Sequence, residues 1–208
     1  MGIVGILGTV HNENMKSNYN YPLEFLENVI MEFSPEIICG QVRPEDWDSY
    51  CNDKNSNVYL GHDEYRKLII PLCERENIDF EPIDWFEWDI IKDEYGRDCD
   101  KIAKEVLHFG TSKIDSIINE IGSNCPIPYN SISLNELVKH KQQIKGGVDP
   151  VVHNIYWTAR NQIMVERIKN VMTENPGKKI LCITSMEHCY FYYEELKKTD
   201  WEVVFPLK

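Results

Sequence analysis

Short apolar runs alternate along the chain with segments whose apolar residues recur every three or four positions. A short buried run is typical of a strand in a parallel sheet, and the longer period is typical of an amphipathic helix. The runs predict strands at 3–7, 37–40, 78–83, 179–184 and 201–205. The periodic segments predict helices at 22–33, 63–76, 150–174 and 187–197. This βαβ order predicts an α/β fold with a central, largely parallel sheet flanked by helices.

The middle of the chain, from about residue 85 to 147, has no convincing strand. Its helical spacing is clearest at 101–108, 113–121 and 134–144. We expect a helical insertion within one α/β domain that spans residues 1–208. In the helix at 63–76, Pro71 predicts a kink or an early end.

Charge and composition exclude several classes of partner. The chain has 208 residues, with 22 Lys and Arg against 34 Asp and Glu, and a net charge of −12. Because no basic block stands out, nucleic acid and anionic membrane are poor partners. No apolar run approaches the roughly 18 residues that span a bilayer, and no signal peptide is evident. We therefore expect a cytoplasmic protein, and the sequence pattern indicates no particular oligomeric state.

Cysteines and glycines exclude two further kinds of site. The seven cysteines are spread without a CxxC pair, which favours buried apolar side chains over a structural zinc site. Gly2, Gly5 and Gly8 are spaced by three and lie in or at the end of the first strand. That spacing matches neither GxxxxGK[ST] nor GxGxxG, so a nucleotide-binding loop is excluded.

Polar side chains follow four of the predicted strands. The residues concerned are Thr9 and His11 after the first strand, Gln41 and Arg43 after the second, Asp84 after the third, and Glu187 and His188 after the penultimate one. Ligands bind at the carboxyl ends of strands in open parallel sheets, so we expect these side chains at one edge. Two histidines there can bind a divalent metal, or act as base and electrostatic stabiliser in hydrolysis. The alternative is that each histidine caps a helix or a loop carbonyl.

Arg160 falls on the apolar stripe of the long late helix, with Asn161 beside it. A charge held there needs a partner. Arg160 therefore has either a structural or a functional role. In the structural role it forms an ion pair, or its aliphatic part is buried while its charge reaches solvent. In the functional role it holds a carboxylate, a phosphate or a developing oxyanion of the substrate. Glu64 and Arg66, in the first turn of a helix, carry a weaker signal for the same site. The aromatic residues at 85, 86 and 88 are either a packing wedge or a pocket wall.

Taken together, these motifs resemble the TraB/GumN/Tiki family. They are a GTxH at 8–11, an acidic-type position followed by Arg after the second strand, an Arg-Asn pair on a late helix, and an SxxH at 185–188 where GxxH is usual. The family belongs to a superfamily with erythromycin esterase-like and ChaN-like proteins. The resemblance implies an α/β fold with a parallel-rich sheet and a site built around two histidines. Known members include metal-dependent peptidases, esterase-like hydrolases and haem-binding proteins.

Two positions depart from the family pattern. Gln41 stands where the family usually places a Glu, and an amide cannot take a proton as a carboxylate does. If that Glu is a base or a metal ligand, this chain is impaired, is an engineered variant, or uses Glu187, Glu45 or Asp84 instead. The second departure, Ser185 for Gly, adds a hydroxyl near the site.

The resemblance implies a metal-dependent hydrolase of peptide or ester bonds. His11 and His188 would bind a divalent cation (Mn, Co, Zn or Fe) or polarise a water, and Gln41 would orient the nucleophile. Arg160 and Asn161 would stabilise the oxyanion or grip the substrate. Substrate-binding side chains are expected at Thr9, Arg43, Glu64, Arg66, Asp84 and Glu187. The alternatives are a non-catalytic protein that binds haem or another small ligand in the same crevice, and a scaffold whose polar strand ends are only caps.

Overall fold

The structure, a computed structural model, describes residues 2–9, 22–86, 116, 132–148 and 150–206. Within these residues five strands form one sheet: β1 (Ile3–Thr9), β2 (Ile37–Gly40), β3 (Asp79–Pro82), β4 (Lys179–Ser185) and β5 (Glu202–Val204). The strand order is β3-β2-β4-β1-β5, and every neighbouring pair is parallel. The predicted α/β fold with a parallel sheet is therefore confirmed.

The described helices flank this sheet. They are α1 (Leu23–Phe33), α2 (Pro44–Asn52), α3 (Ile70–Glu76), α4 (Ile132–Val148), α5 (Pro150–His153), α6 (Arg160–Glu174) and α7 (Cys189–Leu196). Two π-helical turns accompany them: π1 (Tyr65–Ile69) leads into α3, and π2 (Asn154–Ala159) joins α5 to α6. The predicted segments 101–108 and 113–121 lie outside the described residues, except for residue 116. None of the helices described has the length and apolarity needed to cross a bilayer.

Of the two outcomes predicted at Pro71, a kink or an early end, the early end does not occur. The helix does not end there, because α3 continues to Glu76. Pro71 lies in the first turn of α3, and the irregular turn π1 precedes it. Proline has no N–H and its ring crowds the carbonyl four residues back, here Lys67. The wider π1 turn accommodates that crowding, so the predicted early end is wrong.

Each face of the sheet carries its own helix layer. Alternate strand residues, among them Leu7, Ile38 and Leu181, pack with α1, π1 and α3 on one face. Their neighbours pack with α6 and α7 on the other face. From β1 through β3 the chain steps toward one edge of the sheet, and from β3 through β5 it steps toward the opposite edge. Right-handed crossovers then place the two sets of helices on opposite faces.

The described cysteines are mostly core side chains, as predicted. Cys39, Cys73, Cys182 and Cys189 are buried, and Cys51 is exposed. Burial raises the pKa of Cys73 to about 12, and it also raises the pKa of Cys189. These two thiols therefore stay protonated at neutral pH and serve as small apolar groups.

The sheet contains a topological switch point between β2 and β4. These strands are neighbours, yet the chain leaves β2 toward β3 and leaves β4 toward β5, in opposite directions. The connecting segments diverge and open a crevice outside the carboxyl ends of the two strands, where ligands bind in open α/β sheets. Gln41 directly follows β2 and Ser185 ends β4, so both lie at this crevice.

Candidate functional site

A cleft of about 390 Å³ opens beside the switch point. Its lining is Gln41, Arg43, Tyr59, Gly61, Asp84, Phe86, Tyr156 and Arg160. The structure thus brings together four side chains predicted from strand ends and from the late helix, namely Gln41, Arg43, Asp84 and Arg160. The volume lies within the range of small-molecule sites, roughly 300–1,000 Å³.

Asp84 and Arg160 form a bidentate ion pair in this cleft. Arg160 donates from Nε to Oδ1 and from Nη2 to Oδ2, both at 2.8 Å. The main chain of Asp84 is also held, because its carbonyl accepts a hydrogen bond from Arg167 Nη1. The N–H of Trp85 donates to Asp84 Oδ1 at 2.8 Å. These bonds fix both partners in place, with the Arg160 side chain 20% exposed and that of Asp84 7% exposed.

The guanidinium of Arg160 keeps its charge at this partly buried position. Burial lowers the pKa of Arg160, but the hydrogen bonds to Asp84 and its negative charge outweigh that effect and raise the pKa. An arginine with its ordinary pKa is already charged at neutral pH, so the raised pKa keeps Arg160 charged. Asp84 therefore provides the counter-charge that makes burial of the cation tolerable.

Arg43 joins α2 to the loop after β3. Its Nε donates to Asp46 Oδ2 at 2.7 Å and its Nη2 to Asp46 Oδ1 at 3.0 Å. Its Nη1 lies 3.4 Å from the carbonyl oxygen of Phe86. The Phe86 ring in turn packs edge-to-face with Tyr156 at 5.2 Å and lies 5.6 Å from the Arg160 guanidinium. Phe86 is thus a wall of the cleft, while residue 88 lies outside the described residues.

Gln41 bridges the ends of β2 and β4. Its Oε1 accepts a hydrogen bond from the Ser185 N–H at 2.6 Å, and its Nε2 faces the Met164 sulfur at 3.8 Å. Its backbone N–H donates to the Tyr65 hydroxyl at 2.8 Å, and that hydroxyl donates to the Ile183 carbonyl at 2.8 Å. Both ends of the Gln41 amide are therefore engaged inside the protein.

Gly61 approaches the same segment closely. Its φ is +79°, and a Cβ at this position would lie 2.7 Å from the carbonyl oxygen of Gln41. Both the backbone conformation and the close contact require glycine. Gly61 thereby lets the loop before π1 close against β2 and form one side of the cleft.

His188 is held just behind the cleft. Its Nδ1 lies 2.8 Å from Asn161 Oδ1, and its ring stacks on Trp157 at 4.5 Å. Because Asn161 Nδ2 donates to the Trp157 carbonyl at 2.7 Å, the amide oxygen faces the histidine. Nδ1 is then the protonated nitrogen and Nε2 carries the lone pair. His188 is 4% exposed and does not line the cleft.

Two links connect His188 to the cleft residues. Ser185 donates its N–H to the Gln41 side chain and accepts the His188 N–H at its carbonyl, at 2.9 Å. The adjacent residues Arg160 and Asn161 form the second link, since Arg160 bonds Asp84 and Asn161 bonds His188. The predicted Arg-Asn pair therefore joins the cleft to the histidine.

Glu187 contacts α4 and does not line the cleft. Its oxygens lie 2.8 Å from Lys141 Nζ, 2.8 Å from Gln142 Nε2 and 3.7 Å from Lys145 Nζ. Burial raises the pKa of Glu187. This effect is outweighed by the charges of Lys145 and Lys141 and by the hydrogen bonds from Lys141 and Gln142, so the pKa is lowered overall. The carboxylate therefore fastens α4 to the end of β4.

The remaining predicted residues are dispersed. Thr9 is buried and its hydroxyl donates to the Thr184 carbonyl at 3.2 Å. Glu64 is buried just before π1 and does not line the cleft. Arg66 is exposed and donates to the carbonyls of Ser56 and Val58, so it holds the surface loop that leads to the cleft. His11 lies outside the described residues.

Sequence reasoning did not assign three cleft residues to the site: Tyr59, Gly61 and Tyr156. Tyr156 precedes Arg160 by four residues and so falls on the same helical stripe, which is the signal for it. Tyr59 and Gly61 lie in the segment between α2 and π1, where the sequence has no periodic pattern. A glycine two residues after a tyrosine is the local cue that the sequence offers there.

The described residues do not complete the predicted metal site. They contain no cluster of three or more His, Cys, Asp or Glu side chains placed to hold a metal ion. His188 offers a lone pair on Nε2 with Nδ1–H donated to Asn161, an arrangement common in metal-binding histidines. One histidine is too small a donor set, so the steps proposed below do not involve a metal.

Comparison with known proteins identifies no relative. Models of protein families, curated proteins and solved structures all gave no match to the chain. The likeness to the TraB/GumN/Tiki family consequently rests on the short motifs alone.

Proposed function

We propose that this chain is a hydrolase that cleaves a peptide or ester bond of a small molecule or short peptide in the cleft. The observation that supports it is the linkage of the two predicted halves of the site. Arg160 lines the cleft with Asp84, and its neighbour Asn161 orients His188. A positioned histidine and a fixed cation at a switch point are the groups that such hydrolysis requires.

Each group has a role that follows from its contacts. His188 does not line the cleft, and its Nδ1–H is donated to Asn161, so the attacking water of this proposal lies between His188 Nε2 and the cleft lining. Nε2 is the base that takes a proton from that water. Arg160 holds a carboxylate of the substrate or the oxyanion that develops during attack. His11, which the motif pairs with His188, is proposed as the second histidine of the same site. If His11 and His188 together held a metal of the class Mn, Co, Zn or Fe, Nε2 of His188 would be a ligand and the metal, not Nε2, would activate the water.

A second candidate is a protein that binds a small ligand in the cleft without turnover. The geometry of Gln41 favours it, because the amide oxygen and nitrogen are both engaged with neighbouring strand and helix residues. Gln41 then acts as a structural bridge where a carboxylate would act as base or metal ligand. In this case Arg160 and the aromatic lining still hold the ligand, but no bond is cleaved.

Hydrolysis of para-nitrophenyl esters and amino acid para-nitroanilides tests the first candidate. The purified full chain is assayed alone and with added Mn²⁺, Co²⁺, Zn²⁺ or Fe²⁺, next to the variants His188→Gln and His140→Gln. His140 is exposed on α4 and serves as the matched control. We expect turnover that falls about 10²-fold or more in His188→Gln and is unchanged in His140→Gln.

Three outcomes contradict this proposal in different ways. Turnover that survives in His188→Gln removes His188 from the mechanism. A metal requirement that persists with full affinity in both His188→Gln and His11→Ala removes the two-histidine metal site. The absence of turnover with every substrate and metal, together with measurable ligand binding in the cleft, overturns hydrolysis and favours the second candidate.

A further inference from the structure

The geometry points to one chemical class of cleft ligand: a small molecule that carries both a carboxylate and an aromatic ring. This inference rests on the proposed function to the extent that the cleft is the ligand site. It goes further by naming what the site recognises. Two independent features of the lining lead to it, one electrostatic and one apolar.

The electrostatic feature is the unused edge of Arg160. Its hydrogen bonds leave from Nε and Nη2 and go to Asp84, and Nη1 has no hydrogen-bond partner in the described part of the chain. The guanidinium cannot turn away, because Asp84 is itself held by Arg167 and by the N–H of Trp85. A charged donor edge that is fixed beside an open cleft is preorganised for an anion.

The charges around the cleft favour a carboxylate over an ammonium group. Among the described residues of the lining, Asp84 is the one carboxylate, and both of its oxygens already accept hydrogen bonds from Arg160. Arg43 and Arg160 are the cations in that described lining, and Arg43 is matched by Asp46 outside it. An incoming ammonium would have to compete with a bidentate guanidinium, whereas an incoming carboxylate meets N–H donors.

The apolar feature is a set of three rings from separate segments. Tyr59 precedes π1, Phe86 follows β3 and Tyr156 lies in π2, and all three line the cleft. Phe86 and Tyr156 already pack edge-to-face, with ring centroids 5.2 Å apart. Tyr59, in contrast, is 64% exposed. A flat ring placed in the cleft would cover Tyr59 and gain aromatic contacts, which are worth about 1 kcal/mol beyond area burial.

Three probes separate the two features. Benzoate has the ring and the charge, benzamide has the ring without the charge, and cyclohexanecarboxylate has the charge without the aromatic ring. Calorimetric titration of the full chain measures each dissociation constant, and Tyr59→Leu is compared with Tyr193→Leu. Tyr193 stacks on Phe205 at 5.2 Å, away from the cleft, and is the control.

We expect benzoate to bind about tenfold tighter than either analogue, which corresponds to about 1.4 kcal/mol for each missing feature. Tyr59→Leu should raise the dissociation constant of benzoate about fivefold, and Tyr193→Leu should leave that constant unchanged. Because Tyr59 is exposed, its replacement does not threaten folding.

The outcomes separate this inference from the proposed function. If all three probes bind equally and Tyr59→Leu weakens all of them, the cleft is a ligand site but the stated chemistry is overturned. If benzoate binds as expected and no hydrolysis is found, the inference stands and the hydrolase proposal fails. If none of the probes binds, the inference is overturned whatever the hydrolysis assay shows.

Discussion

Arg160 finds its counter-charge in the same cleft that it lines. The sequence left two interpretations open for this residue, a structural ion pair or an arginine of the site. The contacts make it an ion pair with Asp84, while its Nη1 edge has no partner in the described residues. One residue therefore has both properties, since the bond that stabilises the cation also fixes its direction.

Replacing one charged member of the Arg160–Asp84 pair should lower the free energy of unfolding more than replacing both. Arg160→Met leaves the Asp84 carboxylate at 7% exposure without its cation, and we expect the free energy of unfolding to fall by about 3 kcal/mol. Adding Asp84→Asn should recover part of that loss, because the stranded charge disappears. Urea unfolding at pH 7 of the two single variants and the double variant measures this coupling.

A surface pair serves as the control for that cycle. Lys54 and Glu74 are 2.7 Å apart with both side chains at least half exposed, and Glu74→Gln should change stability by less than about 1 kcal/mol. If the free energy of unfolding falls equally in Arg160→Met and in the double variant, the Asp84 charge is not stabilised by Arg160.

Two of the predicted residues that line the cleft owe their place to strand ends. Gln41 directly follows β2 and Asp84 comes two residues after β3, so the sheet itself brings them together. Arg66 had no such constraint, and its long side chain binds carbonyls of the preceding loop. Glu187 follows a strand but turns to the lysines of α4, because a partly buried carboxylate is stabilised by neighbouring cations.

At the scale of elements, α4 is docked by one polar contact set and one apolar cluster. Glu187 receives Lys141, Gln142 and Lys145 from α4. The apolar cluster joins Leu134 and Val138 of α4 to residues of π2 and of the segment after β4, namely Trp157, Met186 and Tyr190. The helix was predicted at 134–144 from its period, but its docking partners come from distant parts of the sequence.

The docking of α4 should depend on pH through Glu187. Its pKa in the folded protein is lowered, so the stabilisation is fully present above the ordinary Glu pKa of about 4.3 and is lost as pH falls through the folded value. Glu187→Gln should therefore shrink the difference in unfolding free energy between pH 7 and pH 3. It should also speed hydrogen exchange of the α4 amides at pH 7.

Glu194→Gln is the matched control for this experiment. Glu194 pairs with Lys139 across the same two helices, α4 and α7, but the two side chains are 44% and 35% exposed. Water screens such an exposed ion pair, so loss of the pair should leave the pH dependence of the unfolding free energy almost unchanged. An identical pH profile in Glu187→Gln and in the unmodified chain would contradict the docking role of Glu187.

The irregular turns show what element-level prediction misses. The apolar period predicts a helix at 63–76, with a kink or an early end at Pro71, and a continuous helix at 150–174. The turns π1 and π2 interrupt these two segments. A π turn shifts the phase of the helix without removing apolar residues from the buried face, so the sequence period barely changes. Both turns lie near the cleft: π2 contains its wall residue Tyr156, and π1 begins with Tyr65, which binds the backbone of Gln41.

At the scale of the molecule, the class of the sheet was predictable but the order of its strands was not. Apolar runs indicate which segments are buried on both faces, and the helices between them require parallel strands. The apolar pattern does not indicate whether β4 lies between β2 and β1 or at an edge of the sheet. That insertion creates the switch point, and it depends on contacts between segments more than 100 residues apart, such as Cys39 with Cys182.

Cooperative unfolding tests whether α4 and the sheet belong to one domain. The apolar cluster ties α4 to Trp157, while Trp47 packs with Phe80 on another side of the sheet. If the contacts form a single cooperative unit, urea transitions followed by far-UV circular dichroism and by tryptophan fluorescence have the same midpoint. Trp157→Phe removes the reporter beside α4, and the remaining fluorescence should follow the same curve. A fluorescence change at lower urea concentration that is absent in Trp157→Phe would instead show that α4 unfolds separately. In that case the packing of α4 on π2 is less stable than the sheet that supports the cleft.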